Sequence, residues 1–242
     1  MEESGEIRCY HCKSEEWIKK GYSRNKKQRY QCKQCSRLFV ENPEWVQGYS
    51  EERKMEVKRA YLERMSLRGV ERVFNIPRKT IKKWVKQASQ IPLAESITDG
   101  QEKEEIEADE LCGYVYRRKE KVWVWLGLCR RTKQIIGYTL GARTDETCRK
   151  WWDSFPPSYQ SALFFTDYWE SYTKVIPPSQ HMACDKKSGH TNHIERFNNT
   201  LRQPLGCLTR ETLSFCKTFE SLHCILSLFI FQYNLNITKN CR

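Results

Sequence analysis

The 242-residue chain lacks any uncharged stretch that would suit a bilayer. Its longest run without a charged side chain is residues 221–238, and His223, Ser227, Gln232, Asn234 and Asn236 interrupt it, whereas a spanning helix needs about 20 predominantly apolar residues. The opening Met-Glu-Glu-Ser-Gly-Glu has neither the basic nor the apolar block of a signal peptide, so the expected compartment is a reducing cytoplasm. Twelve cysteines in that setting point to metal ligands or free thiols rather than disulfides. Repeats and low-complexity tracts are missing too. What the chain does have is 39% hydrophobic residues and 12% aromatics, too many for a disordered protein. The length allows one or two domains with a real core.

The formal charge of +12 is unevenly placed. Residues 1–92 hold 22 Lys and Arg against 12 Asp and Glu, and residues 93–242 hold 20 against 18. A basic amino-terminal third joined to a nearly neutral remainder suggests a polyanion-binding module attached to something else. A merely soluble basic surface is the plainer alternative.

Residues 108–141 read as a three-stranded antiparallel meander. Apolar 111–116 is followed by the turn Arg117-Arg118-Lys119-Glu120. The run Val122-Trp123-Val124-Trp125-Leu126 then has the look of a strand buried on both faces. Arg130-Arg131-Thr132-Lys133 turns into a third strand over 134–140. A helix over 145–155 should stop before Pro156-Pro157, and 162–166 is a fourth short strand. Two helices, 190–203 and 211–234, close the chain. Strands first, then alternating helix and strand, predict a mixed α/β sheet.

Cys9 and Cys12 form one Cys-x-x-Cys pair, and Cys32 and Cys35 form another, with 19 residues between the two pairs. Four thiolates from two tight turns suit tetrahedral zinc, and the spacing is that expected of a zinc ribbon. His11 sits inside the first knuckle as a possible competitor. Four thiolates leave no open coordination position, which excludes a catalytic zinc. The other eight cysteines (112, 129, 148, 184, 207, 216, 224, 241) show no ligand spacing and read as small buried hydrophobes. His181, His190, His193 and His223 offer no second metal cluster.

Residues 66–85 have helix-turn-helix form. Val70 and Phe74 face inward from the first helix, Ile76 from the turn, and Ile81 and Trp84 from the second. Asn75 tolerates the left-handed backbone that the turn wants, and Pro77 begins the second helix. That helix exposes Arg78, Lys79, Thr80, Lys82, Lys83 and Lys86, the chemistry of a helix that reads a DNA groove. Glu71 departs from the motif, which usually has a small residue where the helices cross. An ordinary amphipathic helix pair is the competing reading.

Three acids stand apart in the carboxy-terminal part: Asp109 near the start of the meander, Asp167 at the exit of the fourth strand, and Glu195 on the penultimate helix. Carboxylates from two strands and a helix can hold two Mg²⁺ ions. Such a pair, about 4 Å apart, can activate an attacking oxygen and stabilise a leaving one. Each acid has a plainer role open to it. Asp109 could be a strand-end charge like Glu107 or Glu110, with alternation sending 109 and 110 to opposite faces. Asp167 could cap a following helix, and Glu195 could complete a capping box with Asn192. On the last of these helices Ile194, Phe197 and Leu201 form an apolar face, and Glu195, Asn198, Asn199 and Arg202 a polar stripe that could grip a DNA phosphate.

Taken together, the four cysteines, residues 66–85, Thr166-Asp167, the stretch from Ile194-Glu195-Arg196 to Leu201-Arg202-Gln203, and Leu213-Ser214-Phe215 resemble the insertion sequence IS-one family of DDE transposases. The resemblance implies an α/β architecture in four parts: a zinc ribbon over 1–45, a helix-turn-helix over 46–90, a linker over 91–106, and an RNase H-like catalytic domain over 107–242. It implies structural Zn²⁺ and catalytic Mg²⁺ or Mn²⁺, with Asp109, Asp167 and Glu195 as metal ligands and Arg202 as the basic residue seven positions after the glutamate. Arg196 joins Arg202 as an expected DNA contact. The expected partner is double-stranded DNA, both terminal inverted repeats and target, bound by a homodimer or higher homo-oligomer in the nucleoid, with no membrane partner. A non-enzymatic regulator derived from such an enzyme, and a related nuclease that cuts without joining, are the rival readings.

Overall fold

The computed structural model describes residues 7–23, 26–40, 48–117, 120–209 and 214–240. Arg118 and Lys119 of the meander turn, Leu213 of the resemblance, residues 211–212 of the expected last helix, the ends of the expected ribbon and Cys241 lie outside them. The chain divides into two compact units, residues 1–53 and 54–242.

In the first unit, β1 (Trp17–Tyr22), β2 (Gln28–Cys32) and β3 (Leu38–Val40) form an antiparallel three-stranded sheet in that order. Its core is slight: Cys9, Tyr30, Cys32 and Phe39 are buried, with Ile7, Tyr10, Trp17 and Cys35 packed on them.

The second unit is a mixed α/β structure. It begins within α1 (Glu51–Leu62), whose first three residues precede the division, and continues with α2 (Leu67–Phe74) and α3 (Arg78–Ala88). Ser66 caps α2 by accepting the Gly69 N–H, and Asn75 ends it at φ 53°, ψ 40°, the left-handed conformation that asparagine tolerates. Pro77 stands just before α3 rather than inside it. Glu71 has a positive role at the crossing: its carboxylate accepts the Arg78 backbone N–H (3.2 Å) and pairs with the Arg78 side chain (2.7 Å), so it caps α3 from outside the helix.

The main sheet has β4 (Glu105–Tyr114), β5 (Lys121–Cys129), β6 (Ile135–Gly141), β7 (Leu163–Thr166) and β8 (His181–Ala183) in the order β6-β5-β4-β7-β8. The first three are antiparallel, as the sequence predicts; β7 is parallel to β4 and β8 parallel to β7. Val124, Trp125 and Leu126 are all fully buried, which fits the expectation of a central strand covered on both faces. On one face Trp125 shares a core with Trp151, Phe155 and Tyr172 from α4 (Asp145–Trp152), α5 (Glu170–Val175) and the loop between them. On the other, Leu111, Val124 and Leu126 share a core with α1–α3, α6 (Asn192–Arg202) and α7 (Phe219–Asn240).

The last helix begins later than the expected 211, because Thr218 caps it: its carbonyl accepts the Leu222 N–H and its hydroxyl the Ser221 N–H. The sequence predicts nothing at β8, and a helix near α5 enters only through the alternative role of Asp167 as a cap; the two elements are three and six residues long, too short to show a period. Cys129, Cys148, Cys184 and Cys207 are buried as expected, while Cys112, Cys216 and Cys224 are only partly covered. None of the described helices is long and apolar enough to cross a membrane.

Candidate metal centre and nucleic-acid surface

The β4–β7 ladder ends at the pair Glu107–Phe165. Beyond it β4 continues for seven residues while β7 stops at Thr166, so one edge of β4 is open there. Asp167 sits at the end of β7, and Asp109 and Glu110 flank the open edge. Carboxylate oxygens of Asp109, Glu110 and Asp167 all lie within 4.8 Å of one another. Alternation does send 109 and 110 to opposite faces, but β5 pairs with them on one edge only, and past the end of the β7 ladder both can reach round to Asp167.

The surroundings aim these acids. Asn198 on α6 donates from Nδ2 to Asp109 Oδ2 (2.7 Å). Asp167 Oδ1 accepts the Trp169 N–H (3.0 Å); the next helix starts only at Glu170 and has no side-chain cap, so in place of the helix cap weighed for Asp167 there is a local turn, which leaves its second oxygen out of that bond. Arg143 donates from Nε to Glu110 (3.0 Å), and its guanidinium lies over Trp169 at 3.8 Å and Trp123 at 4.8 Å. Burial first, then the negative charge of Asp167, pushes the Glu110 carboxyl up to about 7 against the pull of Arg143, with Asp109 adding to the rise. Three carboxylates crowded together in this way are a donor set that a hard divalent ion suits.

Glu195 is not a member of this group. Its Oε1 accepts from the Thr191 hydroxyl (3.2 Å), so the pairing is with Thr191 and not the capping box with Asn192. It does share a helix face with Asn198, one turn along, and Asn198 touches Asp109. Arg196 is exposed and Arg202 half-buried on the same helix.

Three residues here escape a reading of the sequence. Alternation sets Glu110 aside, and Arg143 follows β6 in an ordinary loop. The third is Glu107, whose side chain is 0% exposed. Its Oε2 accepts the backbone N–H groups of His193 (2.8 Å) and Ile194 (3.0 Å), and its Oε1 contacts His193 Nδ1 (2.7 Å) and Arg130 Nε (2.8 Å). Only its position two residues before Asp109, on the same strand face, could have signalled it.

In the first unit the four predicted cysteines do converge, with sulfur atoms all within 4.8 Å of one another. Cys9 and Cys35 are 3.7 Å apart, and Cys12 and Cys32 3.4 Å. Disulfide sulfurs would be about 2.05 Å apart. Four ligands at about 2.3 Å around a tetrahedral ion would be about 3.8 Å apart, so the set fits a metal. His11 stays outside it, 3.5 Å from Arg37. The Cys35 backbone N–H, more than any other influence, holds the Cys32 thiol down at about 6.

On α3, Arg78, Lys79, Lys82, Lys83 and Lys86 are exposed and Thr80 is half-buried. Two of the cations are already engaged, Arg78 with Glu71 and Lys86 with Glu220 at 2.6 Å. A cleft of about 930 Å³ runs between α2–α3 and the segments around Leu205 and Cys216; Arg64, Arg68, Arg78, Lys79, Lys82 and Lys217 line it. Within its lining, the Arg64 backbone N–H donates to the carbonyl of Pro204 (2.9 Å), two residues past the end of α6.

Residues 105–235, from the first residue of β4 into α7, match the model of a protein family described as IS1 transposase. Insertion element iso-IS1n protein InsB of Shigella dysenteriae is 32% identical over 124 residues, 51% of this chain and 92% of that protein. Insertion element IS1 4 protein InsB of Escherichia coli (strain K12) is 31% identical over 114 residues, 47% of this chain and 66% of that one. Insertion element IS1 protein InsB of Shigella sonnei is 30% identical over 114 residues, with 84% of its length covered.

Proposed function

The chain belongs to the IS1 transposase family, and from that membership we propose that it is a metal-dependent DNA transposase of the DDE type. The observation that carries the proposal is the convergence of Asp109, Glu110 and Asp167 at the open end of β7. A sheet in which the first strand lies between the second and fourth, with acids on the first and after the fourth, supports the RNase H-like reading. In it Asp109, Asp167 and, from α6, Glu195 hold Mg²⁺ or Mn²⁺, with Glu110 beside them.

Bound divalent ions supply activation of the attacking oxygen and stabilisation of the leaving one. The chain's own residues do the rest. Asn198 fixes the rotamer of Asp109, the Trp169 amide that of Asp167, and Arg143 that of Glu110. Arg202, about two turns beyond Glu195, takes a DNA phosphate, as does exposed Arg196. The reaction is hydrolysis by water of a phosphodiester at an element end, which frees a 3′-hydroxyl, and then in-line attack of that hydroxyl on a target-DNA phosphate, whose own 3′-oxygen leaves, with no covalent protein–DNA intermediate.

The supporting parts follow the same reading. The cluster of Cys9, Cys12, Cys32 and Cys35 holds a structural Zn²⁺. The α2–α3 pair acts as a helix-turn-helix that brings Lys79, Lys82 and Lys83 to terminal inverted repeats. Its cleft continues the basic surface toward the end of α6. A homo-oligomer would then pair two element ends in the nucleoid.

Asp167→Asn tests the proposal. It keeps the side chain's shape and removes its charge, so DNA binding should survive while cleavage and joining fall together, by about a thousandfold or more. Gel-shift and strand-transfer assays read the two separately, with Asp153→Asn and Asp185→Asn as controls. Near-normal Mg²⁺-dependent cleavage by Asp167→Asn would overturn the carboxylate reading.

A further inference from the structure

We infer that Glu107 is a positioning residue that, together with Arg130, sets α6 in register against β4 and so delivers Glu195 to the metal carboxylates; this rests on the reading of Glu195 as a ligand. The first amides of a helix need acceptors, and a carboxylate there is favoured by the helix dipole. The ordinary source is the residue just before the helix. Here Thr191 occupies that place but makes no capping bond to a backbone amide; its hydroxyl goes to Glu195 instead. The acceptor comes from a strand 86 residues earlier in the chain.

A buried carboxylate is a costly way to cap a helix, because it must be desolvated and then paired. What it adds over a local cap is registration. Glu107 holds the amides of His193 and Ile194, and Asp109 holds Asn198. Two residues along β4 is about 6.7 Å, and five residues along α6 is about 7.5 Å. The two ties therefore match in spacing, and Glu195 lies between them.

Arg130 extends the tie to the third acid-bearing element. Besides Glu107 it bonds Glu105 (2.9 Å) and the His190 carbonyl (2.5 Å) just ahead of α6. Its guanidinium also sits 3.7 Å from the ring centre of Phe165, two residues before Asp167. One ion pair thus touches β4, β7 and the approach to α6.

The test compares Glu107→Gln, Arg130→Lys and Glu195→Gln in the full chain. Four readouts are needed: hydrogen exchange at the His193–Glu195 amides, gel-shift DNA binding, calorimetric Mn²⁺ binding, and cleavage as a function of Mg²⁺. Glu107→Gln should bind DNA normally. Its α6 amides should exchange at least about tenfold faster and its half-saturating Mn²⁺ should rise by about tenfold, with excess metal restoring cleavage. Arg130→Lys, which keeps the charge and loses the fork, should move the same way by less. A purely structural role would lower the melting temperature without a metal-rescued defect. Normal exchange and metal affinity in Glu107→Gln, or in Arg130→Lys if Glu107→Gln does not fold, would overturn the inference while Glu195→Gln remained defective. If Glu195→Gln itself changed neither metal binding nor cleavage, the ligand reading would fail instead.

Discussion

Asp109 and Glu110 show how a residue's role depends on what stands beside it. In a strand flanked on both sides they would serve opposite faces; at an open edge they serve one site. A contrasting acid stands just before the same strand in Glu104, which is buried and bonded to Arg131, the Gln101 amide and Cys129. Burial raises its pKa, but the Arg131 fork, the amide and the thiol together hold it below the usual carboxylate range. A carboxylate depressed in the folded state stabilises the protein above its unfolded pKa, about 4.3, and that contribution is lost as pH falls through the folded value. Urea unfolding of the wild type and Glu104→Gln should therefore differ most near neutral pH, and the gap should close below about pH 4. An undiminished gap at pH 3 would show that the pair is not the source.

At the scale of elements, caps and docking contacts decide where helices lie. The α7 helix meets the outer strand β6 through Asn234, which is 0% exposed. Its side chain accepts the Ile135 N–H and donates to the Ile135 carbonyl, both at 2.9 Å, as a neighbouring strand would. At Ile135 the sheet edge is thereby covered by a helix. Asn234→Ala would leave both backbone groups buried without these partners, at a cost of about 3 kcal/mol, read as a lower urea midpoint. A change under about 0.5 kcal/mol would mean that water replaces the amide. Glu71 teaches the same lesson for α3: an acid that breaks the motif's usual pattern is explained once Arg78 is seen beside it.

For the whole molecule the division into residues 1–53 and 54–242 predicts separate responses to metal removal. The first unit has few buried side chains, so zinc binding there would be largely folding free energy. Chelation, or Cys32→Ser, should abolish the amide protection of Tyr30 and Gln31 while the melting transition of the second unit stays in place. Retained protection in metal-free protein would remove the structural-zinc reading. In the second unit, the helix pair α2–α3 is no free-standing piece. Val70, Ile76, Ile81 and Trp84 share a core with Leu222 and Ile225 of α7, so DNA binding by these helices is best measured in the full chain.

The sequence by itself determined what short-range chemistry can specify. The paired cysteines, Asn75 at its left-handed turn, the meander and its doubly buried middle strand were all legible, because spacing, backbone preference and alternation act over a few residues. Asp109 and Asp167 were legible as acids at strand positions. Only the tertiary structure decided which carboxylates meet. That depended on β7 ending two residues short of Asp109 in the ladder, on Glu107 reaching a helix 86 positions away, and on Arg143 and Arg130 arriving from separate loops. Such long-range pairings follow from strand lengths and packing geometry, which no local pattern encodes.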